Sequence, residues 1–270
     1  HRSVDERLAA MRDPAFREKL LAEAREPLRS DMAARLTDYD RMFPLGDPPN
    51  YEPAQESSLG AQARREGRDP REVIYDYLVA NEGKNFIFSP FANFAAYNLD
   101  CCREMMQSPH TLIGLGDGGA HVGLISDGSF PTSLLAHWGR DRSAGRLDVS
   151  WLVKRQTLDN AKAVGLNDRG RLAPGYKADL NVIDFDKLSV EAPVMKWDLP
   201  AGGKRLLQKA RGYRATIVSG SVTYRDGGST GGTSSLIPTR NTTTAAEIST
   251  ISRPAHSDQL RRSNAESTLR

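Results

Sequence analysis

The sequence predicts a mixed α/β fold, followed by a small β unit and a disordered tail. Helical patterns alternate with short apolar segments through residue 165, an order typical of a parallel α/β architecture. Residues 166–228 hold short β-rich segments punctuated by glycine. Residues 229–270 are rich in Ser and Thr and contain no Phe, Trp or Tyr, so burial there cannot offset the entropy of ordering. We therefore expect an α/β part at 1–165, a β unit at 166–228 and a disordered tail at 229–270.

The first third of the chain carries helical signals. Apolar residues recur at helical spacing over residues 5–38, and Pro14 suits a first helical turn, which predicts two helices broken near Asp13. Residues 43–55 are rich in turn formers and are predicted to be a loop. A further helix is expected after Asp69, with Asp69 as N-cap, Pro70 in the first turn and Gly83 after the end.

Two apolar stretches in the middle of the chain predict short buried strands. They are "NFIFSPF" from residue 85 and "TLIGLG" at 111–116, and the continuous apolar character of the second indicates burial on both faces. Residues 92–106 between them have a helical pattern, and further helices are expected at 132–137 and from residue 148 to 165. In the β unit, strands are predicted within 178–185 and as a pair around Gly220.

Composition excludes several classes of protein. The chain has 270 residues with 37 Lys and Arg against 34 Asp and Glu, a net charge of +3, and the two signs are interspersed. Such patterning is typical of solvated helix faces and predicts neither nucleic-acid nor membrane binding. The mean hydropathy is −0.52. The sequence has no long apolar run and no signal-peptide pattern, so we expect a soluble, cytoplasmic protein. The adjacent Cys101 and Cys102 are expected to be reduced thiols on a helix.

The segment "TLIGLGDGGAHVG", residues 111–123, carries the main functional signal. Asp117 is the first polar side chain after the apolar run, so it is expected where reactive groups gather in α/β proteins, at the C-terminal end of a strand. Its carboxylate can act as a general base for water, as a metal ligand, or only as a cap of a turn. His121 can bind substrate or metal or transfer a proton, or it can be a structural or merely exposed side chain.

The other polar residues around this segment have simpler interpretations. Asp127 is expected to hydrogen-bond across the loop or to cap the next helix. His137 and Trp138 are predicted to pack within a helix, whereas His110 precedes the strand and belongs at the opposite end.

A dinucleotide-binding oxidoreductase is a remote alternative. Gly114, Gly116 and Gly119 satisfy G-x-G-x-x-G, but the apolar run continues past the first glycine, and the residues after the last one form a poor helix. Lys204 in "GGKR" is not followed by Ser or Thr, so it predicts no phosphate loop.

Three motifs in this order resemble one enzyme family: "LGDGGAHVGLISDGSFPT", "RGRLAPGYKADLNVIDFD" and "IVSGSVTYRDG". Over residues 1–228 the chain resembles the C-terminal half of a metal-dependent amidohydrolase, in particular the N-acyl-D-amino-acid deacylase (D-aminoacylase) group. The resemblance implies the C-terminal part of a (β/α)8 TIM-like barrel whose last strand is Thr111 to Gly116, joined to a segment of a small β-sandwich.

The resemblance also implies a reaction and its residues. Asp117 matches the aspartate that approaches the zinc and takes the proton of the attacking water, and His121 is a candidate for substrate binding. The expected substrate is a small molecule, an N-acylated D-amino acid cleaved at its linear amide. The family's His-x-His pair is missing, because the histidines are at positions 1, 110, 121, 137 and 256. We therefore expect an incomplete fragment that is inactive alone and prone to aggregate, with a non-catalytic pseudoenzyme fragment as the alternative.

Overall fold

A computed structural model describes residues 4–24, 37–90, 92–114, 116, 121–124 and 127–231. The chain divides into two compact units, His1–Thr111 and Leu112–Arg270. The predicted domain boundaries near residues 165 and 228 stay predictions. Within the described part, no helix has the length and apolar character needed to cross a bilayer.

Helices make up most of the described first unit. They are α1 (Val4–Arg12), α2 (Pro14–Glu23), α3 (Leu59–Glu66), α4 (Pro70–Gly83) and α5 (Asp100–Gln107), with single 3-10 turns at Tyr39–Arg41 and Gln55–Ser57. The predicted break between α1 and α2 is confirmed, because the carboxylate of Asp13 accepts a hydrogen bond from the backbone N–H of Phe16 at 2.8 Å. The helix predicted over residues 92–106 begins only at Asp100.

The predicted cap of α4 is also confirmed, but its predicted end is not. Asp69 accepts a hydrogen bond from the backbone N–H of Arg71 at 2.9 Å, and Pro70 occupies the first turn. The backbone leaves helical geometry already at Ala80, where ψ is 166°, and Asn81 then adopts a left-handed conformation with φ of 51°.

The first unit contains one described strand pair, β1 (Phe43–Leu45) with β2 (Phe86–Phe88), and it is antiparallel. The prediction of a loop over 43–55 is therefore wrong at its start, where Phe43 pairs with Phe88. The reason is burial, since Phe43 is 1% exposed and packs edge-on against Phe94 with ring centroids 6.0 Å apart. The strand predicted near residue 86 is confirmed, although its residues are half-buried rather than buried.

Helices of the second unit fall in the predicted places. They are α6 (Phe130–Ser133), which continues as a π-helical segment at Leu134–Asp141, α7 (Val149–Lys154), a second π-helical segment at Arg155–Asp159, and α8 (Asn160–Ala163). Asp148 caps α7 by accepting a hydrogen bond from the backbone N–H of Trp151 at 2.8 Å.

The remainder of the described second unit is antiparallel β structure. Its strands are β3 (Leu180–Ile183), β4 (Ser189–Val190), β5 (Val194–Leu199), β6 (Gly203–Leu207), β7 (Ala210–Arg211), β8 (Tyr213–Val218), β9 (Ser221–Arg225) and β10 (Gly228–Ser229). One sheet has the order β10-β9-β8-β3, and β4–β7 and β5–β6 form separate ribbons. The strand pair predicted around Gly220 is confirmed, because Val218 pairs with Ser221 and Gly220 supplies a φ of 83° in the turn.

Two sequence predictions fail in the described residues. Residues 111–114 and 116 belong to no strand, so the predicted strand Thr111–Gly116 is wrong at these positions. Among these residues the carbonyl of Ile113 accepts its hydrogen bond from the side chain of Asn160, and none of them pairs with a described strand. All strand pairs of the described residues are antiparallel, so the predicted parallel alternation is not found among them.

The predicted tail lies almost entirely outside the described residues. Ser229, the first residue assigned to it, pairs with Tyr224 in the sheet. Residues 232–270 are not among those described, and their predicted disorder stays a prediction.

Candidate functional site

Asp117, the central candidate, lies outside the described residues together with 118–120. Both flanks of this segment are described, namely 111–114 with 116 before it and 121–124 after it. The contacts of these flanks therefore define where the candidate site is attached to the second unit.

The upstream flank is held by one asparagine of the helical region. The side-chain amide of Asn160 donates hydrogen bonds to the carbonyl of Ile113 at 2.5 Å and to the carbonyl of Gln156 at 3.2 Å. Ile113 is buried, at 8% exposed. A Cβ built on Gly114 would lie 3.2 Å from Nδ2 of Asn160, so the glycine permits this close approach. The chain is thus fixed a few residues before Asp117.

The downstream flank is a tight turn attached to a β-hairpin. The backbone N–H of Leu124 donates to the carbonyl of His121 at 2.7 Å, and His121 has a left-handed backbone with φ of 46°. The carbonyl of Val122 accepts a hydrogen bond of 2.6 Å from the backbone N–H of Leu206 in β6. His121 itself is exposed. A candidate substrate-binding side chain therefore lies on a turn that the hairpin β5–β6 holds in place.

The remaining predicted residues separate into packing and surface groups. The rings of His137 and Trp138 lie 5.4 Å apart at 85°, and Trp138 is 6% exposed, which confirms their predicted packing role. His110 is exposed in the turn that precedes residue 111. Asp127 begins the 3-10 turn Asp127–Ser129, and its capping role stays a prediction.

The dinucleotide alternative loses the helix that it requires. Its last glycine, Gly119, is outside the described residues, but residues 121–124 form a turn rather than a helix. A dinucleotide fingerprint needs a helix opening directly after the glycines to hold the pyrophosphate. The described geometry does not support an oxidoreductase.

Comparison with known proteins shows the family. The profile described as "Amidohydrolase family" matches residues 9–224, well over half of the chain. This chain belongs to the amidohydrolase family.

Two kinds of curated relative match parts of this amidohydrolase. The 5-methylthioadenosine/S-adenosylhomocysteine deaminase of Desulfitobacterium hafniense is 34% identical over 104 residues, which cover 35% of this chain and 24% of the relative. The imidazolonepropionase of Paracoccus denitrificans is 32% identical over 160 residues, which cover 54% of this chain and 38% of the relative. The chain thus spans between a quarter and two fifths of the length of these relatives. No solved structure matches it significantly.

The described residues of the amidohydrolase do not form the zinc site that the resemblance implies. A catalytic zinc takes three protein ligands, usually His, Cys, Asp or Glu, and keeps one position open. Nowhere in the described ranges do three such side chains converge. The described residues therefore do not fit the metal, and we derive no step of the reaction through it.

A cavity of about 520 Å³ lies in the second unit. It is lined by residues of α6, α7 and the π-helical segments, by the 170–172 motif and by β3 and β8: Pro131, Leu135, Ser150, Val153, Lys154, Gln156, Thr157, Leu158, Gly170, Arg171, Leu172, Asp179, Asn181, Ile183 and Tyr213. Two charged groups on it have partners, since Lys154 pairs with Asp159 at 2.8 Å and Asp179 accepts a hydrogen bond from the backbone N–H of Ser219 at 2.8 Å. The residues that line it include no His or Cys.

Sequence reasoning missed two residues that flank the candidate site. Asn160 lies seven residues after Val153 and three after Thr157, on the predicted apolar face of its helix, so a polar residue on that face was the available signal. In the sequence, Lys204 is notable only as the lysine of "GGKR", which predicts no phosphate loop. Its position beside the turn at 121–124 depends on a hairpin that the sequence analysis did not predict.

Proposed function

We propose that this amidohydrolase hydrolyses a carbon–nitrogen bond of a small molecule. The family match over residues 9–224 carries the proposal. The names of the relatives agree with it, because a deaminase and an imidazolonepropionase both act on carbon–nitrogen bonds. The non-catalytic alternative from the sequence analysis is retained as the opposite outcome of the test below.

Within this reaction class, we assign the linear amide of an N-acyl-D-amino acid as the substrate. The support is the resemblance of "LGDGGAHVGLISDGSFPT" and "RGRLAPGYKADLNVIDFD" to the D-aminoacylase group. The barrel of 1–165 and the sandwich segment of 166–228 belong to the same proposal. They rest on the family and on these motifs.

A heterocyclic substrate is the second candidate. The matched relatives are named for a nucleoside-type substrate and for an imidazolone, and none of them is named for an acylated amino acid. An assay that offers both an N-acetyl-D-amino acid and an imidazolone therefore separates the two candidates.

Asp117 is assigned the role that the resemblance implies. By that resemblance its carboxylate would take a proton from the attacking water, for which a short acidic side chain after a glycine-rich approach is suited. Gly116, Gly118 and Gly119 around it leave room for a ligand to come close to the backbone.

Replacing Asp117 by Asn tests this role. D117N keeps the size of the side chain and removes the base, so we expect turnover to fall at least about a hundredfold, as general-base catalysis contributes. The measurement uses protein expressed from its gene, together with any coding sequence that lies upstream of His1 in the same reading frame. Asp127→Asn is the control, since Asp127 is predicted to hydrogen-bond across the loop or to cap the next helix rather than to take part in catalysis.

The same preparation decides between enzyme and pseudoenzyme. Zinc content by elemental analysis and hydrolysis of N-acetyl-D-leucine are both expected in the wild type. A protein with neither metal nor turnover on either substrate class would support the non-catalytic alternative and refute the proposal.

A further inference from the structure

The cavity of about 520 Å³ in the second unit is lined by helical residues and by the sheet that contains β3 and β8. The helical residues include Leu135 of the first π-helical segment and Gln156, Thr157 and Leu158 of the second. Segments of π-helix are rare, and they occur frequently at functional sites. The volume falls within the range of about 300–1,000 Å³ that is usual for small-molecule sites. These features make the cavity a candidate for a ligand site.

The segment 170–172 brings a cation to this cavity. Gly170 lies so close to the second π-helical segment that a Cβ built on it would be 2.8 Å from the Cα of Leu158. Arg171 and Leu172, which follow it, both line the cavity. The guanidinium of Arg171 also lies 5.7 Å from the ring centroid of Tyr176, a cation–π contact that favours one orientation of the side chain. The close approach of Gly170 therefore helps to position Arg171 on the cavity.

The charge of Arg171 is not neutralised by any carboxylate of the described residues. Lys154, the other cation of the lining, donates hydrogen bonds to both carboxylate oxygens of Asp159, at 2.8 and 2.9 Å. Asp179, the acidic residue of the lining, forms an ion pair with Arg169 at 3.5 Å. Arg171 forms no ion pair within the described ranges. The lining thus carries positive charge that an anionic ligand would complement.

The lining also offers neutral donors and an apolar surface. The Oδ1 atom of Asn181 accepts a hydrogen bond from the hydroxyl of Thr216 at 2.8 Å, which leaves the amide N–H groups of Asn181 for a ligand. The apolar lining residues are Pro131, Leu135, Val153, Leu158, Leu172 and Ile183. Leu172 is 47% exposed although it is apolar. An anionic group attached to an apolar body matches this combination of groups.

We propose that this cavity binds a small organic anion with an apolar body. Arg171 and the amide of Asn181 hold the anionic group, and the body packs against apolar residues such as Leu172. The planar guanidinium suits the task, because it donates paired hydrogen bonds to an oxyanion. A ligand in this place contacts helical and sheet residues of the folded unit at once, so its binding stabilises the fold. The inference does not rest on the proposed function, because none of the described residues among 111–124 lines the cavity.

The test compares two fluorescent ligands that differ in charge. Naphthalenesulfonate carries an anionic group on an apolar body and contains no carbon–nitrogen bond, so it is no substrate of the proposed reaction. Naphthalenesulfonamide has the same body and is neutral. Each is titrated into a dilute solution of the full chain. We expect saturable binding at one site, with the sulfonate bound about tenfold more tightly than the sulfonamide, the range of a charge-assisted hydrogen bond.

Two variants test the two parts of the site. R171Q should abolish the preference for the sulfonate and leave the affinity for the sulfonamide unchanged, because it removes the charge and keeps a polar side chain. L172S should weaken both ligands by a similar factor, roughly fivefold, because it removes apolar surface. Both side chains are exposed, so the melting temperatures without ligand should stay at the wild-type value. The sulfonate should raise the melting temperature of the wild type more than that of R171Q.

Arg225 supplies a matched control. It is an exposed arginine of β9 in the same unit, and it does not line the cavity. R225Q removes the same charge from the protein and should bind both ligands as the wild type does. An equal loss of sulfonate binding in R225Q and R171Q would mean that net charge attracts the anion, and it would overturn the inference.

The remaining outcomes also decide the inference. It is overturned if the wild type binds both ligands equally, binds neither, or binds without saturation, and if R171Q keeps the preference for the sulfonate. None of these results bears on the proposed function, because hydrolysis is measured separately. Conversely, a chain that hydrolyses no carbon–nitrogen bond is still expected to bind the sulfonate.

Discussion

At the scale of single residues, backbone geometry explains why the first glycine of the motif "RGRLAPGYKADLNVID", Gly170, is a glycine. Gly170 has a φ of 80°, and a Cβ built on it would lie 2.8 Å from the Cα of Leu158 and 2.9 Å from the carbonyl carbon of Thr157. Both atoms belong to the backbone of the second π-helical segment, which cannot move aside as a flexible side chain could. Glycine is therefore required here by conformation and by close approach at once.

Replacing Gly170 by Ala should lower the free energy of unfolding by about 2–4 kcal/mol, the sum of left-handed backbone strain and overpacking. Gly165→Ala is the matched control, because Gly165 has a similar φ of 76° but nothing within 4 Å of its built Cβ. The control should cost only about 1 kcal/mol. Urea denaturation of both variants measures the difference, and equal losses would contradict the steric argument.

The pH dependence of stability is expected to depend in part on the partly buried side chain of Tyr213. Burial raises the pKa of its phenol above the ordinary value of 10.0, and a hydrogen bond with Thr132, 2.8 Å long, partly opposes the shift. Since the unfolded chain loses the phenolic proton first, the stabilisation is fully present below pH 10 and is lost as the pH rises from 10 towards the folded pKa.

The free energy of unfolding should therefore fall when the pH is raised from about 9 to about 11. Burial raises the pKa of Tyr75 and Tyr77 as well, so several side chains contribute to this fall. Tyr213→Phe should make the fall smaller without abolishing it. Urea denaturation of the wild type and the variant at both pH values measures this fall in the free energy of unfolding. An equal fall in the two proteins would show that Tyr213 does not contribute.

At the scale of elements, helix α8 holds the chain ahead of the candidate site through one side chain. The amide of Asn160 donates to the carbonyls of Ile113 and Gln156, while its Oδ1 atom is buried without a hydrogen-bond partner among the described residues. Such an unpaired buried oxygen costs free energy, whereas the two donated bonds stabilise. The donors therefore explain why an amide occupies this position.

Changing Asn160 to Asp should be more damaging than changing it to Leu. N160D places a negative charge against two carbonyl oxygens, for which we expect a loss of at least about 3 kcal/mol in the free energy of unfolding. N160L removes the donors without adding charge and should cost about 1–3 kcal/mol. Chemical denaturation at neutral pH compares them, and a smaller loss in N160D than in N160L would refute the assigned donor role.

At the scale of the whole molecule, apolar side chains remain on the surface of the described residues. Leu124 is 83% exposed, Val164 69% and Leu112 54%, all in the second unit. Scattered apolar residues are ordinary on a protein surface, but exposure to this degree favours association.

We expect the isolated chain to self-associate as its concentration is raised, as the half-barrel expectation also predicts. Sedimentation velocity over a wide range of concentration measures this association. The double variant L124S/V164S should associate less, because both side chains are highly exposed and their replacement leaves the core intact. A wild-type chain that stays monomeric and melts cooperatively would contradict the expectation.

The sequence by itself determined the features that depend on near neighbours. The caps at Asp13, Asp69 and Asp148 and the turn at Gly220 follow from hydrogen bonds and backbone angles within a few residues. The amidohydrolase family was likewise visible in short motifs, and the family match over residues 9–224 confirms it at that level.

Only the tertiary structure decided how the flanks of the candidate site are held. Ile113 lies in no strand, and its carbonyl accepts a hydrogen bond from Asn160, a partner 47 residues away that no local pattern specifies. The hydrogen bond from Leu206 to Val122 depends in the same way on a hairpin that no local pattern places beside this turn. Local propensity fixes where helices and turns begin and end, whereas backbone groups outside them find their partners only when distant segments meet.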